Sequence, residues 1–580
     1  MSASVIAPSF RRRLPGTRHL VPLALILIVG VLVLAPLLRI LLATLTPAGL
    51  DAWADVLASR LSMNLWWEPL ANTVLLGLGV SAGCLLLGGF MAWLVVLTDV
   101  PGRRFLGLLH TLPFMIPSFA TALAWGTLFR NSRLGGSAGY FESNGIAIPD
   151  WLAWGIVPTL IVLIAHYYSL AVTIIAAALS SVGADLVEAA QMSGARRPRI
   201  FFGIILPVVT PALVSAASLT LAGAVSNFAA PALLGLPVRM QTLSTRIFGM
   251  IEIGNSERGF VLALLLILVA GIFLFLSDRL VSGRRAFVTV TGKGGRTRRF
   301  PLGRWRWPLC AVGFGLGVLT TVVPVLVLAA SSLAPQAGAF FSNWTLHFWL
   351  GEGGGQLAQG QAGIFRNPVL IGALWNTLQL GVVVALIAMV LGLALAHTIT
   401  RMKGTVLANV LSQLAFLPLL IPSIAFAAAY IALFGRPIGP LPSLYGSFML
   451  LVIAAAAHNL PYAVQAGRSV LGQISADLEE SARLTGAGAL RRMWAIVVPL
   501  TIRGLLAGAI LVFVKMVRDL SLVVLLSTAA TPVLSMIAYR YASEGFTQFA
   551  NAITVLILVI CLAASLVAQA LQSRVQKWKE

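Results

Sequence analysis

Long apolar runs recur along the whole chain, and they constrain its fold more than any other feature. A helix that crosses the ~30 Å hydrocarbon core of a bilayer needs about 20 residues. Lipid cannot satisfy exposed backbone groups, so such runs are expected to be helical. Only 10% of the residues are charged, which excludes a series of soluble domains. The sequence predicts an all-α polytopic membrane protein with about twelve spans, at 20–45, 72–98, 105–128, 153–181, 208–236, 258–280, 307–333, 369–400, 405–434, 446–473, 500–527 and 550–573.

The basic residues set the expected orientation of these spans. An even number of spans places both termini on one side. That side carries 26 of the 40 Lys and Arg residues, against nine on the other side and five within spans. Cytoplasmic loops are enriched in Lys and Arg, so we expect a bacterial inner-membrane protein with both termini in the cytoplasm. The net charge of +22 is divided among short clusters and forms no single face for nucleic acid.

A basic connector divides the chain into two parts. From Arg279 to Arg306 it has nine basic residues and no acidic one, and it includes glycines at 292, 294 and 295. This composition predicts a flexible cytoplasmic linker close to anionic lipid headgroups. The expected organisation is a cytoplasmic N-terminal segment at 1–19, a first membrane unit at 20–282 with its core at 68–280, the linker at 283–306, and a second unit at 307–580 with its core at 369–573.

The two parts repeat one another. Asn72-Thr73 recurs as Asn376-Thr377, 304 positions later, and His166 recurs as His458 at a shift of 292. The segment 112–118 recurs at 417–423, and its prolines Pro117 and Pro422 should kink or break their spans. Two parallel six-helix repeats predict two similar bundles with a pathway between them.

A cytoplasmic segment with fixed spacing follows the fourth and tenth spans. Glu188 precedes Gly194 by six residues and Pro207 by nineteen, and Glu480, Gly486 and Pro499 keep the same spacing. The pattern predicts a short surface helix ended by a left-handed glycine, then a second short helix, then a proline at the mouth of the next span. Small side chains would let another surface approach, namely Ala189, Ala190, Ser481 and Ala482.

This Glu-Ala-Ala pattern, with its later glycine and Leu-Pro or Val-Pro ending, resembles the cytoplasmic motif of binding-protein-dependent ABC importer permeases. The second copy departs from it by reading Glu480-Ser481-Ala482. The resemblance covers nearly the whole chain and implies two fused permease units of the type I importer (MetI-like) fold. It also implies that each motif is a coupling helix seated on a separate ATPase. The implied coupling residues are Asp185, Glu188, Ala189, Ala190, Gly194, Pro207, Asp477, Glu480, Ser481, Ala482, Gly486 and Pro499.

The same resemblance implies the partners. Gly292-Lys293-Gly294 does not fit the phosphate-binding Gly-x-x-x-x-Gly-Lys-Ser/Thr pattern, and the pattern occurs nowhere else in the chain. We therefore expect a non-enzymatic subunit without its own cofactor or metal. ATP and Mg would be bound by two copies of a cytoplasmic ATPase, and a periplasmic or lipid-anchored binding protein would deliver the solute.

Polar residues inside the spans are candidates for the pathway, because charges there are costly. Lys515 and Asp519 are four residues apart and could pair on one helical face. Asn227 occupies the position equivalent to Asp519 in the first repeat. These groups could line the path or neutralise one another inside the bundle. The full candidate set is Asn227, Lys515, Arg518, Asp519, His166 and His458.

The solute is the least constrained property. The segment from Val517 to Ser521 resembles the ferric-iron branch of the family, in which glutamate usually stands where this chain has Asp519. Ferric iron is therefore the expected solute. Thiamine, a phosphonate, a polyamine or another small organic or oxyanion solute is the alternative, since Lys515 and Arg518 would repel a bare ferric ion. An ion-coupled secondary carrier is a more distant alternative.

Overall fold

The computed structural model describes residues 20–134, 137–282, 300–340, 343–354, 357–437, 439–440, 442–475 and 477–576. The expected N-terminal segment 1–19 lies outside the described residues, as does the linker from 283 to 299. Below, the first half means residues 20–282 and the second half residues 300–576. Within the described ranges the regular elements are helices, and the β contact is an isolated parallel bridge between Thr98 and Phe300.

The helices follow one another in the same order in each half, except that Tyr140–Ser143 and Asp150–Ala153 have no helical equivalents among the described residues of the second half. Those of the first half are α1 (Leu20–Val29), α2 (Ala35–Thr44), α3 (Pro47–Leu57), α4 (Glu68–Leu97), α5 (Arg103–Leu109), α6 (Ser118–Phe129), α7 (Tyr140–Ser143), α8 (Asp150–Ala153), α9 (Ile156–Ser180), α10 (Ala184–Met192), α11 (Arg197–Ile200), α12 (Leu206–Ser226), α13 (Ala229–Leu234), α14 (Leu243–Glu252) and α15 (Ser256–Ser282). Those of the second half are α16 (Arg306–Gly317), α17 (Val323–Leu333), α18 (His347–Leu350), α19 (Pro368–Arg401), α20 (Val406–Leu420), α21 (Ser423–Phe434), α22 (Phe448–Leu471), α23 (Asp477–Leu484), α24 (Ala489–Arg492), α25 (Val498–Val517), α26 (Val523–Leu526), α27 (Leu534–Ser543) and α28 (Thr547–Gln576).

The described residues contain ten helical stretches long and apolar enough to cross a bilayer, and twelve if two bent pairs are each counted as one span. The bent pairs are the predicted third and ninth spans, which turn by 92° and 108°. Each turn lies at the predicted proline. Because a proline ring pushes the preceding residue into extended backbone, Ile116 and Ile421 leave the helix before Pro117 and Pro422. The predicted breaks are confirmed.

Two predicted spans are wrong at their C-terminal ends. The runs at 208–236 and 500–527 are not continuous helices, because α12 ends at Ser226 and α25 at Val517. After each end, one side chain caps a new short helix: Asn227 Oδ1 accepts the N–H of Ala230 at 3.1 Å, and Asp519 Oδ1 accepts that of Leu522 at 3.2 Å. A polar side chain that bonds the free backbone groups lowers the free-energy cost of a helix break within an apolar run.

The prolines of the repeated Glu-Ala-Ala motif do not open their spans, contrary to prediction. Pro207 and Pro499 lie inside continuous helical stretches that begin at Pro198 and Ala489. Each follows a π turn, Phe201–Ile205 or Met493–Val497. The residue before the proline bonds the carbonyl five residues back, which widens the turn and makes room for the ring. The other described π turns also end two residues before a proline: Gly30–Leu34, Met63–Trp67 and Val318–Val322.

Matched hydrogen bonds support the internal repeat. Thr73 Oγ1 accepts the Leu243 N–H at 2.9 Å, and Thr377 Oγ1 accepts the Leu534 N–H at 2.9 Å. The adjacent asparagines act in the same way, with Nδ2 donating to the Gln241 and Pro532 carbonyls at 2.9 and 3.0 Å, respectively. In each half the Asn-Thr pair thus holds the start of the helix that follows the break, α14 or α27.

The first helices of the two halves are exchanged. α1 and α2 pack on α20 and α21 of the second half, and Tyr430 Oη donates to the Leu32 carbonyl at 2.7 Å. Reciprocally, α16 and α17 pack on α5 and α6 of the first half. Tyr168 Oη is bonded to Thr320 Oγ1 at 2.8 Å. Each half therefore packs its first helices against the bent span of the other half.

The threonine bonds lead to a stability prediction. In Thr73→Val/Thr377→Val, the buried N–H groups of Leu243 and Leu534 lose their acceptors, which costs about 1–3 kcal/mol each. The expected result is a lower unfolding temperature of the detergent-purified chain. The matched control is Thr159→Val/Thr554→Val, since these buried threonines donate only to carbonyls of their own helices. Equal destabilisation by the two double variants would contradict the assigned role.

Candidate functional site

The repeated Glu-Ala-Ala motif folds alike in both halves. α10 and α23 each end in a left-handed glycine, Gly194 with φ 79° and Gly486 with φ 86°. The Ala195 N–H bonds the Ala190 carbonyl, and the Ala487 N–H bonds the Ala482 carbonyl, both at 3.0 Å. This is the Schellman closure of a helix C-terminus, in which glycine avoids a Cβ clash. The predicted short helix and glycine bend are confirmed in both copies.

The outer surfaces of these two short helices are also alike. Glu188 and Ala189 are exposed in the first, and Glu480 and Ser481 in the second. Near the tips, Met192 is 90% exposed and Leu484 is 89% exposed, at positions 292 apart. The second helix also exposes Asp477, whereas the side chain of Asp185 lies outside the described residues. Carboxylates beside an exposed apolar tip form a small surface suited to a protein partner, and binding of that partner stays a prediction.

The two short helices are attached to the membrane part by different chemistry. Val187 of α10 is buried in an apolar cluster that includes Leu97 and Trp93. Its equivalent in α23 is Glu479, which lies 2.8 Å from His397 Nε2 and 2.6 Å from Arg401 Nη2. The sequence interpretation missed this anchor, although the His397–Arg401 spacing of four residues at the end of α19 was available as a signal.

The Glu479 anchor has a defined response to pH. Burial alone would raise the pKa of this carboxyl, but hydrogen bonds and charges from His397 and Arg401 outweigh burial and lower the pKa. A lowered pKa means that the ion pair stabilises the folded attachment above the ordinary glutamate value of about 4.3. This stabilisation is lost as the pH falls through the lowered value, so the anchor is intact at neutral pH.

Glu479→Gln should loosen only the copy of the Glu-Ala-Ala motif in the second half. Removing the carboxylate charge weakens its bonds to two basic partners, and we expect hydrogen exchange of residues 477–486 to be about tenfold faster at pH 7. Residues 184–194 should be unaffected, because Val187 holds them. Hydrogen exchange with mass spectrometry measures both segments, with the exposed Glu480→Gln as control. Unchanged exchange in residues 477–486 of Glu479→Gln would sink the anchor assignment.

The helix breaks at Asn227 and Asp519 are held by equivalent bonds. Ser244 Oγ donates to the Asn227 carbonyl at 2.9 Å, and Ser535 Oγ donates to the Asp519 carbonyl at 3.0 Å. Asn227 Nδ2 also donates to Ser118 Oγ at 2.9 Å. Ser118 begins the helix after the Pro117 turn, so the two kinds of break in the first half are joined directly.

Arg518 connects the two halves. Its guanidinium donates to the Phe114 carbonyl and lies 4.9 Å from the centre of the Phe114 ring. Phe114 belongs to the bent span of the first half, whereas Arg518 follows α25 of the second. The position equivalent to Arg518 in the first half is Ser226, which cannot make this contact. Arg518 is therefore a one-sided polar link across the interface.

The predicted ion pair between Lys515 and Asp519 does not form. It required one continuous helix, but α25 ends at Val517, between the two residues. Lys515 Nζ instead lies 3.9 Å from the centre of the Tyr462 ring, a cation–π contact. The structure thus gathers Lys515, Arg518 and Asp519 at a break and gives each a different principal contact.

The matched histidines lie against the bent spans. The His166 ring is 5.6 Å from that of Phe114, and His458 Nε2 is 3.1 Å from Ser423 Oγ. In both histidines Nδ1 is buried and has no hydrogen-bond partner among the described residues. The same Phe114 ring lies 4.9 Å from the Arg518 guanidinium. The role of the two histidines in the pathway stays a prediction.

Aromatic side chains pack between the two halves next to Asn227. The Phe228 ring is 5.3 Å from the Tyr539 ring of the other half and 5.0 Å from that of Phe248. All three side chains are buried. The two halves are consequently in direct contact at these side chains. Within the described residues, no group of three or more His, Cys, Asp or Glu side chains could hold a metal ion.

The duplicated helical bundle, with one copy of the Glu-Ala-Ala motif in each half, is that of a multi-pass membrane protein. It belongs to the family described as binding-protein-dependent transport system inner membrane component, whose profile matches residues 84–286 and 388–577. The two matches fall on the two halves of the repeat.

Ferric permeases are among the similar proteins. The chain is 25% identical to the "Ferric transport system permease protein FbpB" of Actinobacillus pleuropneumoniae over 78% of this chain and 63% of that protein. It is 24% identical to the "Fe(3+)-transport system permease protein FbpB 2" of Haemophilus influenzae over 91% and 93%. A further ferric permease of H. influenzae is matched over 64% of its length. The chain thus spans less than two thirds of two of these relatives.

Proposed function

We propose that this chain is the solute-conducting subunit of an ATP-driven importer, with both termini in the cytoplasm. The two copies of the Glu-Ala-Ala motif, residues 184–194 and 477–486, would lie on the same side and are called the coupling segments below. The observation that carries the proposal is the pair of identically closed helices, each bearing an exposed glutamate before a left-handed glycine. Each coupling segment would bind one copy of a separate ATPase, which supplies ATP hydrolysis and its Mg ion. A periplasmic or lipid-anchored binding protein would deliver the solute on the opposite side.

The connection between coupling segment and interface explains how force could be transmitted. The stretches Pro198–Ser226 and Ala489–Val517 each contain 29 residues. At 1.5 Å per residue each spans about 43 Å. One end adjoins a coupling segment, and the other ends at a break that carries Asn227 or Arg518. Movement of a coupling segment would therefore displace the interface directly through a rigid helix.

The interface contacts indicate what must change during transport. Opening a path between the halves has to separate Phe228 from Tyr539 and Arg518 from the Phe114 carbonyl. Leaving a buried hydrogen-bonding group without a partner costs about 1–3 kcal/mol. Closure of two ATPase subunits around ATP would supply enough free energy to offset such a loss. Shifting a protein from one conformation to another requires only a few kcal/mol.

Docking can be tested by charge reversal at both coupling helices. In Glu188→Arg/Glu480→Arg, each exposed carboxylate of the motif becomes a cation, so a complementary surface on the ATPase would be repelled. We expect loss of ATPase co-purification and at least a tenfold loss of solute uptake, with normal amounts of the chain in the membrane. Co-purification and uptake in a strain lacking the native chain measure these effects.

A matched control separates docking from a general effect of charge. Asp51→Arg/Glu252→Arg reverses two exposed carboxylates at the opposite ends of the spans. It should leave ATPase binding unchanged. Normal uptake and normal ATPase recovery with Glu188→Arg/Glu480→Arg would reject the docking role, whereas ATPase-independent uptake would favour an ion-coupled carrier.

We propose ferric iron as the solute, on the strength of the similarity to ferric permeases and of the Arg518-Asp519 segment. The local charge restricts its form. Lys515 and Arg518 outnumber Asp519 at the interface, and a bare ferric ion would be repelled by them. Ferric iron bound by anionic oxygen ligands would avoid this repulsion. Hard oxygen ligands suit ferric iron, and their negative charge would be attracted by Lys515 and Arg518. The same cations favour an oxyanion or phosphonate as the second candidate.

Uptake measurements distinguish these solutes. In a strain that lacks the chain, re-expression should restore accumulation of radioactive ferric iron at least tenfold, and excess sulfate or phosphonate should not compete. Gallium, a redox-inert ferric analogue, should compete. Restored uptake of sulfate or of a phosphonate, with iron unaffected, would exclude iron and support the second candidate.

A further inference from the structure

A cleft of about 580 Å³ lies where the two halves meet at the ends of their spans. Its lining includes no residue of the coupling segments or of the interface described above. One wall is the turn between α4 and α5, and the other is the start of α16. The residues that matter for its chemistry are Asp99, Gly102, Arg103, Arg104, Phe105 and Arg306.

Specific contacts between the halves build this cleft. The Phe300 N–H donates to the Leu97 carbonyl at 2.8 Å, and the Leu302 N–H donates to Asp99 Oδ1 at 2.9 Å. The rings of Phe105 and Phe314 stack with their centres 5.7 Å apart. The walls of the cleft are therefore fixed relative to one another without a ligand.

The cleft has a surplus of positive charge. It is lined by three arginines and one carboxylate, and the carboxylate of Asp99 already accepts a backbone N–H. Arg104 and Arg306 are exposed and make no ion pair with any described residue. Arginine guanidinium groups match the geometry of phosphate oxygens in paired hydrogen bonds. This arrangement suits a phosphate group.

The rim of the cleft identifies the source of that phosphate. Large apolar side chains beside the arginines are exposed: Phe105 by 59%, Leu108 by 64%, Trp305 by 57% and Trp307 by 72%. Aromatic residues at the ends of spans lie at the level of lipid headgroups. A free inorganic phosphate would satisfy the arginines and leave this apolar rim in water. A phospholipid would cover both surfaces with one molecule.

We infer that this cleft binds the headgroup of an anionic phospholipid, whose phosphate contacts Arg103, Arg104 and Arg306 and whose acyl chains cover the apolar rim. The first two arginines belong to the first half and the third to the second half. A bound lipid would hold the exchanged helix that starts at α16 against the first half. The site concerns assembly, and it does not depend on which solute is transported.

The test uses the full-length chain in detergent, with short-chain phosphatidylglycerol as the probe. The test variant is Arg103→Gln/Arg104→Gln/Arg306→Gln, and the control is Arg60→Gln/Arg366→Gln/Arg436→Gln, which removes equal charge at the opposite ends of spans. Removal of an interfacial arginine weakens anionic lipid binding about fivefold, so the test variant should bind roughly a hundredfold more weakly. Native mass spectrometry measures binding, and the unfolding temperature reports the lipid-dependent stability.

Each outcome decides the inference. Binding of phosphatidylglycerol by the wild type and the control, with loss in the test variant, supports it. Equal binding by the test variant overturns it, and so does equal binding of phosphatidylcholine with the same chains. Inorganic phosphate that raises the unfolding temperature as much as the lipid also overturns it in favour of a free-anion site. If the triple variant does not fold, the single exposed variant Arg306→Gln should still show the fivefold loss, and its absence counts against the site.

Discussion

The need to satisfy backbone groups wherever a helix breaks inside an apolar chain underlies most of this architecture. Continuous helices satisfy themselves, but the chain is interrupted twice in each half, at Pro117 and Asn227 and at Pro422 and Asp519. Side chains supply the missing partners at these points, through Asn and Asp at the breaks and Ser and Thr on neighbouring helices. Lipid offers no alternative acceptor. The polar residues of the spans therefore have a structural role at the helix breaks, and this role does not depend on whether they also line a solute path.

The halves share a scaffold but have diverged in chemistry. Their backbones bend, cap and turn at equivalent positions. The side chains at these positions differ. The second half has Glu479 where the first has Val187, Arg518 in place of Ser226, and Asp519 in place of Asn227. Charge is therefore concentrated in the second half, both at its coupling segment and at the interface. A duplicated scaffold permits this, because one copy can keep an apolar contact while the other acquires an ionic one.

Much of the fold could be predicted because its signals are local. Apolar run length located the spans, and the glycine of each coupling segment specified its left-handed bend. The break before Asp519 could not be predicted, because the apolar run continues across it. The charge of Asp519 suggested an ion pair with Lys515, whereas its carboxylate in fact caps the next helix. The Glu479 anchor depends on His397 and Arg401, about 80 residues earlier. The contact of Arg518 with Phe114 joins residues 404 apart in sequence. Such pairings are created only by the tertiary arrangement.

The exchange of the first helices also affects how the protein is made. Tyr430, which bonds the Leu32 carbonyl, lies 398 residues further along the chain. At ribosomal rates of about 5–20 residues per second, roughly 20–80 s separate the synthesis of these two contacts. During that interval α1 and α2 lie in the bilayer without their partner helices α20 and α21. The surface that these partners will cover stays exposed to lipid, so this part of the fold is completed only after the second half has been synthesised.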